Sequence, residues 1–426
     1  MRSKLYQHFL KYPKICTDTR KIEPDCIFFA LRGPNFNANE FAEEALEKGA
    51  SLAVVDQEKF KNGDRYMLVD NVLETLQELA KHHRQRLTIP IIGLTGSNGK
   101  TTTKELINAV LSQEYNVYAT KGNLNNHIGV PLTILSIRPD HEMAIVEMGA
   151  NHVGEIQQLC EIAQPTHGMI TNIGKAHLEG FGGIEGVIRG KSELYHHLIQ
   201  NEGEVWINSQ NEILSNMAKR FSKPMFYPSK EDFYHCKLLH ETPYVVIQTE
   251  EGETVTTHLV GKYNFENIAA ALCIGKYFKV SSQKAHQAIE AYNPSNNRSQ
   301  VIKKGDNTII LDAYNANPSS MRSALENLWT VSNKHKVVIL GDMKELGEDS
   351  EEEHQLVGQM LSEHNLSGIY LLGPEMKAAK NKLPQAFHTE DKKELLSELK
   401  NQKFKKTAIL IKGSRSMALE EVMDVL

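Results

Sequence analysis

The sequence predicts an α/β protein of three domains: a small mixed α/β domain at the N-terminus, a central parallel-sheet domain of the P-loop type, and a C-terminal Rossmann-like domain. Three observations carry this expectation. A chain of 426 residues with 40% hydrophobic content suits about three domains, each able to bury a core. From 87 to about 294, and again beyond 308, short apolar strands alternate with helices as parallel sheets require. Between these runs the stretch 293–298, NPSNNR, is rich in turn formers and reads as a linker. The expected boundaries are 1–86, 87–294 and 295–426.

In the first segment 27–31 is a short apolar strand, 40–48 is helical, 52–55 and 66–69 are further strands, and a helix runs from 72 to about 86. In the central segment apolar strands fall at 89–94, 143–146, 169–171 and 204–207, with helices at about 100–112, 129–137, 154–163 and 185–199. The helix at 262–278 closes this region. Its alanine run is a packing surface, and Asn264 and Asn267, three apart, share a face where they either cap or hydrogen-bond a base. In the last segment strands at 308–311, 337–340, 369–372 and 408–411 alternate with helices at 318–329, 351–364, 391–400 and 417–425. Asn317 followed by Pro318 supplies an N-cap and a proline at the first helical position, and Ser350 with Glu353 is expected to form a capping box. The acidic run 348–353 therefore reads as a favourable helix start rather than a metal site.

The most informative stretch is 91–105, IIGLTGSNGKTTTKE, a buried strand that breaks into a glycine loop and then a helix. Gly93, Gly96 and Gly99 let the backbone turn tightly and bring N–H groups against anionic oxygens. Lys100 adds positive charge, and the Thr101 hydroxyl sits where a Mg2+ ligand is expected. Leu94 stands where the strict Walker spacing needs glycine, so this is a shortened phosphate loop, G-S-N-G-K-T-T. It follows the first strand of its sheet, at the carboxyl edge where open α/β sheets bind ligands.

Other polar groups fall at that edge. Glu147 ends the apolar run AIVEMG, a poor place for an uncompensated carboxylate and a good one for a Mg2+ ligand. His177 lies in the glycine-bounded loop TNIGKAHLEGFGG. Lys191 is in GKSELY on a helix, where a solvated lysine is the ordinary expectation. The doublets His82-His83 and His196-His197 lack companion ligands at metal spacing and read as surface residues. In the C-terminal segment the loops DAYNANP, 312–318, and KGSR, 412–415, both follow strands.

Composition excludes several classes. The net charge is −5 with both signs interspersed, so nucleic-acid binding is not expected. Five scattered cysteines without a C-x-x-C pair suit a reducing cytoplasm and argue against structural zinc. No run of about 18 apolar residues marks a membrane span, and the N-terminus lacks the apolar core of a signal peptide.

With these pieces assembled, the whole chain resembles the Mur ligase family, ATP-dependent amide-forming enzymes of cell-wall precursor synthesis built from three domains. TGSNGKTTT is similar to the family phosphate loop, VEMGAN to its metal-carboxylate strand, TNIGKAHLEGFG to its histidine loop, and GKSE to the site of its modified lysine. DAYNANPSSM, ILGDMKELG and IKGSRSMALEEV resemble the branch that adds D-alanyl-D-alanine to UDP-N-acetylmuramoyl-tripeptide. The resemblance implies ATP and Mg2+ as cofactors. Gly96, Ser97, Asn98, Gly99, Lys100, Thr101 and Thr102 would hold the phosphates, with Thr101 and Glu147 on metal. It puts His177 near a second Mg2+ and makes Lys191 a carbamate that also ligates metal, so that Lys100, His177 and Lys191 form the catalytic set. Arg298 would reach ATP phosphate, Asp312 and Asn267 the ribose or adenine, and Asn264 the base. The first domain would bind the UDP-sugar through Thr19 and Arg20, in Asp18-Thr19-Arg20 where the family often has Asp-Ser-Arg. Asn315, Asn317, Ser414 and Arg415 would contact substrate. A cytoplasmic monomer is expected. The competing expectations are a sister ligase with another amine substrate, a phosphotransferase or simple ATPase, and a nucleotide-controlled binding protein without turnover.

Overall fold

The computed structural model of the chain describes residues 2–294 and 298–426; the middle of the expected linker, 295–297, lies outside the described residues. Four parallel strands, Ile15–Cys16, Ile27–Phe29, Leu52–Val55 and Tyr66–Leu68, form the first sheet in that spatial order. Ile27, Phe29, Leu52 and Val54 join one core while Phe28, Ala53 and Val55 join another, as a two-residue period with both faces covered requires. The Val72–Arg84 helix starts at Asn71, whose side chain accepts from the Glu74 amide, and packs on the Gly129–Leu135 and Glu155–Ala163 helices of the central domain. At its end the buried Arg84 guanidinium donates to the carbonyls of Ala163, Leu87 and Gln164, each at 2.8 Å. One buried cation thereby satisfies the open end of a neighbouring helix and fixes the first domain to the second.

The central sheet has six parallel strands in the order Met225–Tyr227, Glu204–Asn208, His167–Ile170, Ile91–Thr95, Met143–Glu147 and Val117–Ala119. Leu94 lies opposite Glu147 and Thr95 opposite Ile170, so the loops that leave these three strands emerge side by side. Behind the sheet the Tyr263–Tyr277 helix is apolar nearly all round and packs along the Lys100–Leu111 helix. A Cβ on Gly275 would stand 2.5 Å from Val110, so the absence of a side chain there permits the close approach.

The C-terminal sheet has the order Gln300–Lys304, Asn307–Leu311, Thr407–Lys412, His335–Gly341, Gly368–Leu372 and Phe387–Thr389, parallel except for the first strand. Leu311 and Ile339 both lie opposite Ile411, which brings the DAYNANP and KGSR loops to one edge.

The alternation expected across 87–294 is interrupted by a three-stranded antiparallel sheet, Cys236–His240, Val246–Thr249 and Thr254–Thr256. Its Ile247 and Val255 are buried in the same apolar cluster as Ile268 of the long helix, which gives this small sheet a core to pack on. The helix expected at 417–425 is instead two short 3-10 stretches, Arg415–Met417 and Leu419–Asp424, separated by Ala418 in left-handed backbone at φ 46°. The Asn317 cap and Pro318 hold, with Ser320 completing a capping box. Ser350 and Glu353 make no such box; the Ser350 hydroxyl donates to Glu375 and Glu353 accepts from Lys175. His83 is buried rather than on the surface, bonded to the Tyr6 hydroxyl and the Ile137 carbonyl.

Candidate functional site

The phosphate loop is shaped by its neighbours as well as by contacts of its own. Gly96 has φ 147° and Gly99 φ 78°. A Cβ at Gly96 would fall 1.9 Å from the Thr171 hydroxyl, and one at Gly99 2.7 Å from the Asn267 amide oxygen. The Ser97 amide donates to the Asn172 carbonyl and its hydroxyl to the Gly174 carbonyl, both at 3.0 Å, while the Asn98 amide donates to the Asn172 side chain at 3.0 Å. The first helical bond runs from the Thr103 amide to the Gly99 carbonyl, which leaves the amides of Lys100, Thr101 and Thr102 pointing out of the helix end. Lys100 folds back to donate to the Gly96 carbonyl at 2.6 Å and the Ser97 carbonyl at 3.3 Å. Burial pushes its ammonium down to about 8, with Glu147 opposing the shift and Arg298 adding to it.

Beside this loop Glu147 is 1% exposed. Its Oε1 accepts from Asn125 at 2.8 Å and from the Thr101 hydroxyl at 3.3 Å. Oε2 makes no hydrogen bond among the described residues, and the buried Lys104 ammonium lies 3.8 Å from it. Lys191, which the residue pattern left open between a solvated face and a functional place, is 1% exposed; its Nζ donates to the Ala150 carbonyl at 3.3 Å and lies 5.2 Å from the Phe181 ring. Burial depresses this lysine well below the usual range, and Lys100 adds to the effect. The His177 Nδ1 is 2.5 Å from Glu345 of the C-terminal domain. The structure thus joins Thr101 to Glu147, whereas neither His177 nor Lys191 hydrogen-bonds to that pair. Among the described residues no group of three or more His, Cys, Asp or Glu side chains is set to hold a metal.

The loop residues Ser97 to Thr102, with Asn125, Glu147 and His177, line one cavity of about 660 Å3 together with Arg298, Asp312, Tyr314, Asn315, Asn317 and Lys412; Lys191 and Glu345 lie behind its lining. The Asp312 carboxylate accepts from Lys412 at 2.5 Å and from the Ser299 amide at 3.0 Å. The Arg298 guanidinium stacks 3.7 Å over the Tyr314 ring, with Arg415 farther away at 5.9 Å. The Asn317 amide donates to Asn98 of the phosphate loop at 2.8 Å. The Asn315 carbonyl accepts from Lys412, and the Ser414 hydroxyl accepts from the Lys344 amide at 2.8 Å. Asn267 is committed to the protein, accepting from Thr103 and donating to Asn264, each at 2.9 Å, so it buttresses Gly99 from behind. Thr19 and Arg20 stand apart from this cavity. The Arg20 side chain is 85% exposed and grips its own neighbour Asp18, whose carboxyl it holds down to about 2.

Sequence reasoning missed Asn125, Lys104, Lys412 as the partner of Asp312, and Glu345. Asn125 carries the one available signal: it sits in GNLNNHIG, an asparagine cluster bounded by glycines.

Comparison with known proteins gives a consistent result over nearly the whole chain. Residues 94–275 match the profile of the Mur ligase middle domain, and residues 297–415 that of the Mur ligase, glutamate ligase domain. The UDP-N-acetylmuramoyl-tripeptide--D-alanyl-D-alanine ligase of Bacillus subtilis is 34% identical, covering 96% of this chain and 92% of the relative. Among solved structures, MurF from Acinetobacter baumannii is 32% identical with a TM-score of 0.86, covering 96% of this chain and 92% of that one. MurF ligase from Thermotoga maritima, solved in complex with ADP, is 27% identical with a TM-score of 0.85, covering 98% and 97%. This chain belongs to the Mur ligase family.

Proposed function

We propose that this chain is an ATP-dependent amide ligase that joins D-alanyl-D-alanine to UDP-N-acetylmuramoyl-tripeptide in peptidoglycan precursor synthesis, forming ADP and phosphate. The observation that carries the proposal is a single cavity bounded by the phosphate loop on one side and by the DAYNANP and KGSR loops on the other. Similarity over nearly its full length to ligases named for this reaction supports it.

A carboxylate does not form an amide at neutral pH, so ATP first converts it to an acyl phosphate. Lys100 and the outward amides of Lys100, Thr101 and Thr102 act on charge that develops on the transferring phosphoryl group. The dipeptide amine then attacks the activated carbonyl and phosphate leaves. Arg298, which lines the cavity and stacks on Tyr314, is proposed as a second cation for phosphate, and Asp312, paired with Lys412, as the ribose partner. Closure of the C-terminal loops over the phosphate loop, through Asn317 and Asn98, excludes water from the acyl phosphate.

The donors present fit Mg2+. The unpartnered Oε2 of Glu147 and the adjacent Thr101 hydroxyl are hard oxygen donors at the cavity wall. When bound, the ion would offset phosphate charge. Lys191 is a candidate for carbamylation because its burial favours the neutral amine that CO2 requires, and a carbamate would add an anionic oxygen donor. The first domain, with Thr19 and Arg20, is proposed to receive the UDP-sugar. The cavity is completed within one chain, which supports a monomer as the working unit, and the five free cysteines suit the cytoplasm. No helix among the described residues is long and apolar enough to cross a membrane.

The test is phosphate release from ATP by the purified chain with each substrate omitted in turn. Release is expected only with both UDP-N-acetylmuramoyl-tripeptide and D-alanyl-D-alanine present. Release with the tripeptide substrate and single amino acids, but not the dipeptide, would reassign the amine.

A further inference from the structure

Along one wall of the cavity the histidine loop is bound to the C-terminal domain at several points. The Lys175 ammonium is 2.5 Å from Glu353, and its amide donates to the Ser319 hydroxyl at 3.0 Å. The Glu179 amide donates to the Glu345 carbonyl at 3.2 Å, and His177 Nδ1 is 2.5 Å from the Glu345 carboxylate. His177 and Glu345 both adopt left-handed backbone, at φ 53° and 64°. Neither is glycine, and such conformations persist where the surroundings impose them, often at sites whose geometry matters. The two residues lie 168 positions apart, so this contact exists only when the domains are together.

The chemistry of the pair is directional. A carboxylate can only accept, and at 2.5 Å the contact between Nδ1 and the Glu345 carboxylate needs a proton between the two groups. Nδ1 must therefore carry a proton and donate it. The other ring nitrogen, Nε2, makes no hydrogen bond among the described residues, and His177 lines the cavity. Which nitrogen of a histidine is free to bind is set by the hydrogen bond the other makes.

We propose that Glu345 is a positioning residue: reaching across from the C-terminal domain, it fixes His177 with its proton on Nδ1 and so presents the Nε2 lone pair to the cavity only while the domains are closed. This rests on the ligase reading above. The central domain supplies the imidazole and the C-terminal domain selects its tautomer. Closure thus completes the site electronically as well as sterically.

The test pairs turnover with the nitrogen-15 spectrum of the histidine rings, His177 being assigned by its loss in His177→Asn. In the unaltered protein, Nε2 of His177 should resonate as an unprotonated ring nitrogen. In Glu345→Ala it should move toward the averaged position of a ring exchanging between tautomers, and kcat should fall by about 10–100-fold, the range for losing an outer carboxylate partner. The Michaelis constant for ATP should hold within about twofold, since the nucleotide contacts are untouched. Glu345→Gln keeps an acceptor oxygen and should restore both the spectrum and most of the rate, which separates positioning from a folding defect. A protonated Nε2 in the unaltered protein, an unchanged ring in Glu345→Ala, or Glu345→Gln failing as badly as Glu345→Ala would each overturn the proposal. An unaltered protein without ligase turnover would count against the ligase reading instead, because the ring spectrum is read without turnover.

Discussion

Replacing Glu147 by glutamine separates what this carboxylate does for folding from what it does for chemistry. The amide oxygen of glutamine can still accept from Asn125 and Thr101, so the change removes mainly the charge. That charge faces Lys104 at 3.8 Å, with side-chain exposures of 4% for the lysine and 1% for the glutamate. At an effective dielectric near 20, unit charges at that separation attract by about 4 kcal/mol. Removing one member of a buried pair typically costs about 3–5 kcal/mol, because the other stays buried and uncompensated. Glu147→Gln alone should therefore lower the unfolding free energy of the central domain by about 3 kcal/mol, and Lys104→Met alone by a similar amount. Together they should cost far less than the sum, with a coupling of at least about 2 kcal/mol. Trp206 is fully buried in the central sheet, so its fluorescence in a Trp329→Phe background reports this domain during urea unfolding. The double variant should regain stability yet remain inactive as a ligase, since no carboxylate is left for the metal. Additive single effects, or a double variant that ligates at a normal rate, would refute this account of Glu147.

Four other outcomes are expected. Lys100→Ala should lower kcat by two or more powers of ten with the circular-dichroism spectrum unchanged, as the lysine acts on charge that grows during transfer; near-normal turnover would remove Lys100 from the mechanism. Because burial holds Lys100 down to about 8, phosphate should raise it again on binding, so ADP binding just above pH 8 should take up protons. Calorimetry in buffers of different protonation enthalpy measures this uptake, which Lys100→Met should abolish; the same depression means that the unfolded chain binds more protons above that pH and the burial penalty fades as pH rises. Gly96→Ala should weaken ADP binding by at least about 100-fold, since its Cβ would overlap the Thr171 hydroxyl that holds the Asn98 carbonyl; unchanged affinity by calorimetry would show that the loop can relax. Lys191→Ala should be nearly inactive and partly recovered by acetate, which supplies an anionic oxygen in the vacated space, whereas full activity without additive would exclude the carbamate.

The parts of the fold that were legible in the sequence are those whose burial is written in the chain itself. Leu52–Val55 and Ile91–Thr95 are wholly buried and read as strands from apolar runs alone. Edge strands of three residues, such as Val117–Ala119 and Phe387–Thr389, carry too little pattern to be seen and are fixed by the neighbours they pair with. The same division holds for the site. Glu147 was legible because a carboxylate at the end of an apolar strand has no cheap structural explanation. Lys191 was not, because its burial is decided by Phe181 and the Ala150 carbonyl, neither of which a helical period can place. Glu345 and Lys412 act on partners 168 and 100 residues away, and only the packing of the domains and the pairing of strands bring them there.

The most direct test of the central claim follows oxygen. With oxygen-18 in the carboxylate that is to be activated, an acyl phosphate leaves one labelled oxygen in the phosphate released when the dipeptide amine attacks. The account predicts that inorganic phosphate, analysed by mass spectrometry, carries one oxygen-18 per amide formed. Unlabelled phosphate appearing at the rate of amide formation would contradict it, because the γ-phosphoryl group would then have passed to water and never to the substrate.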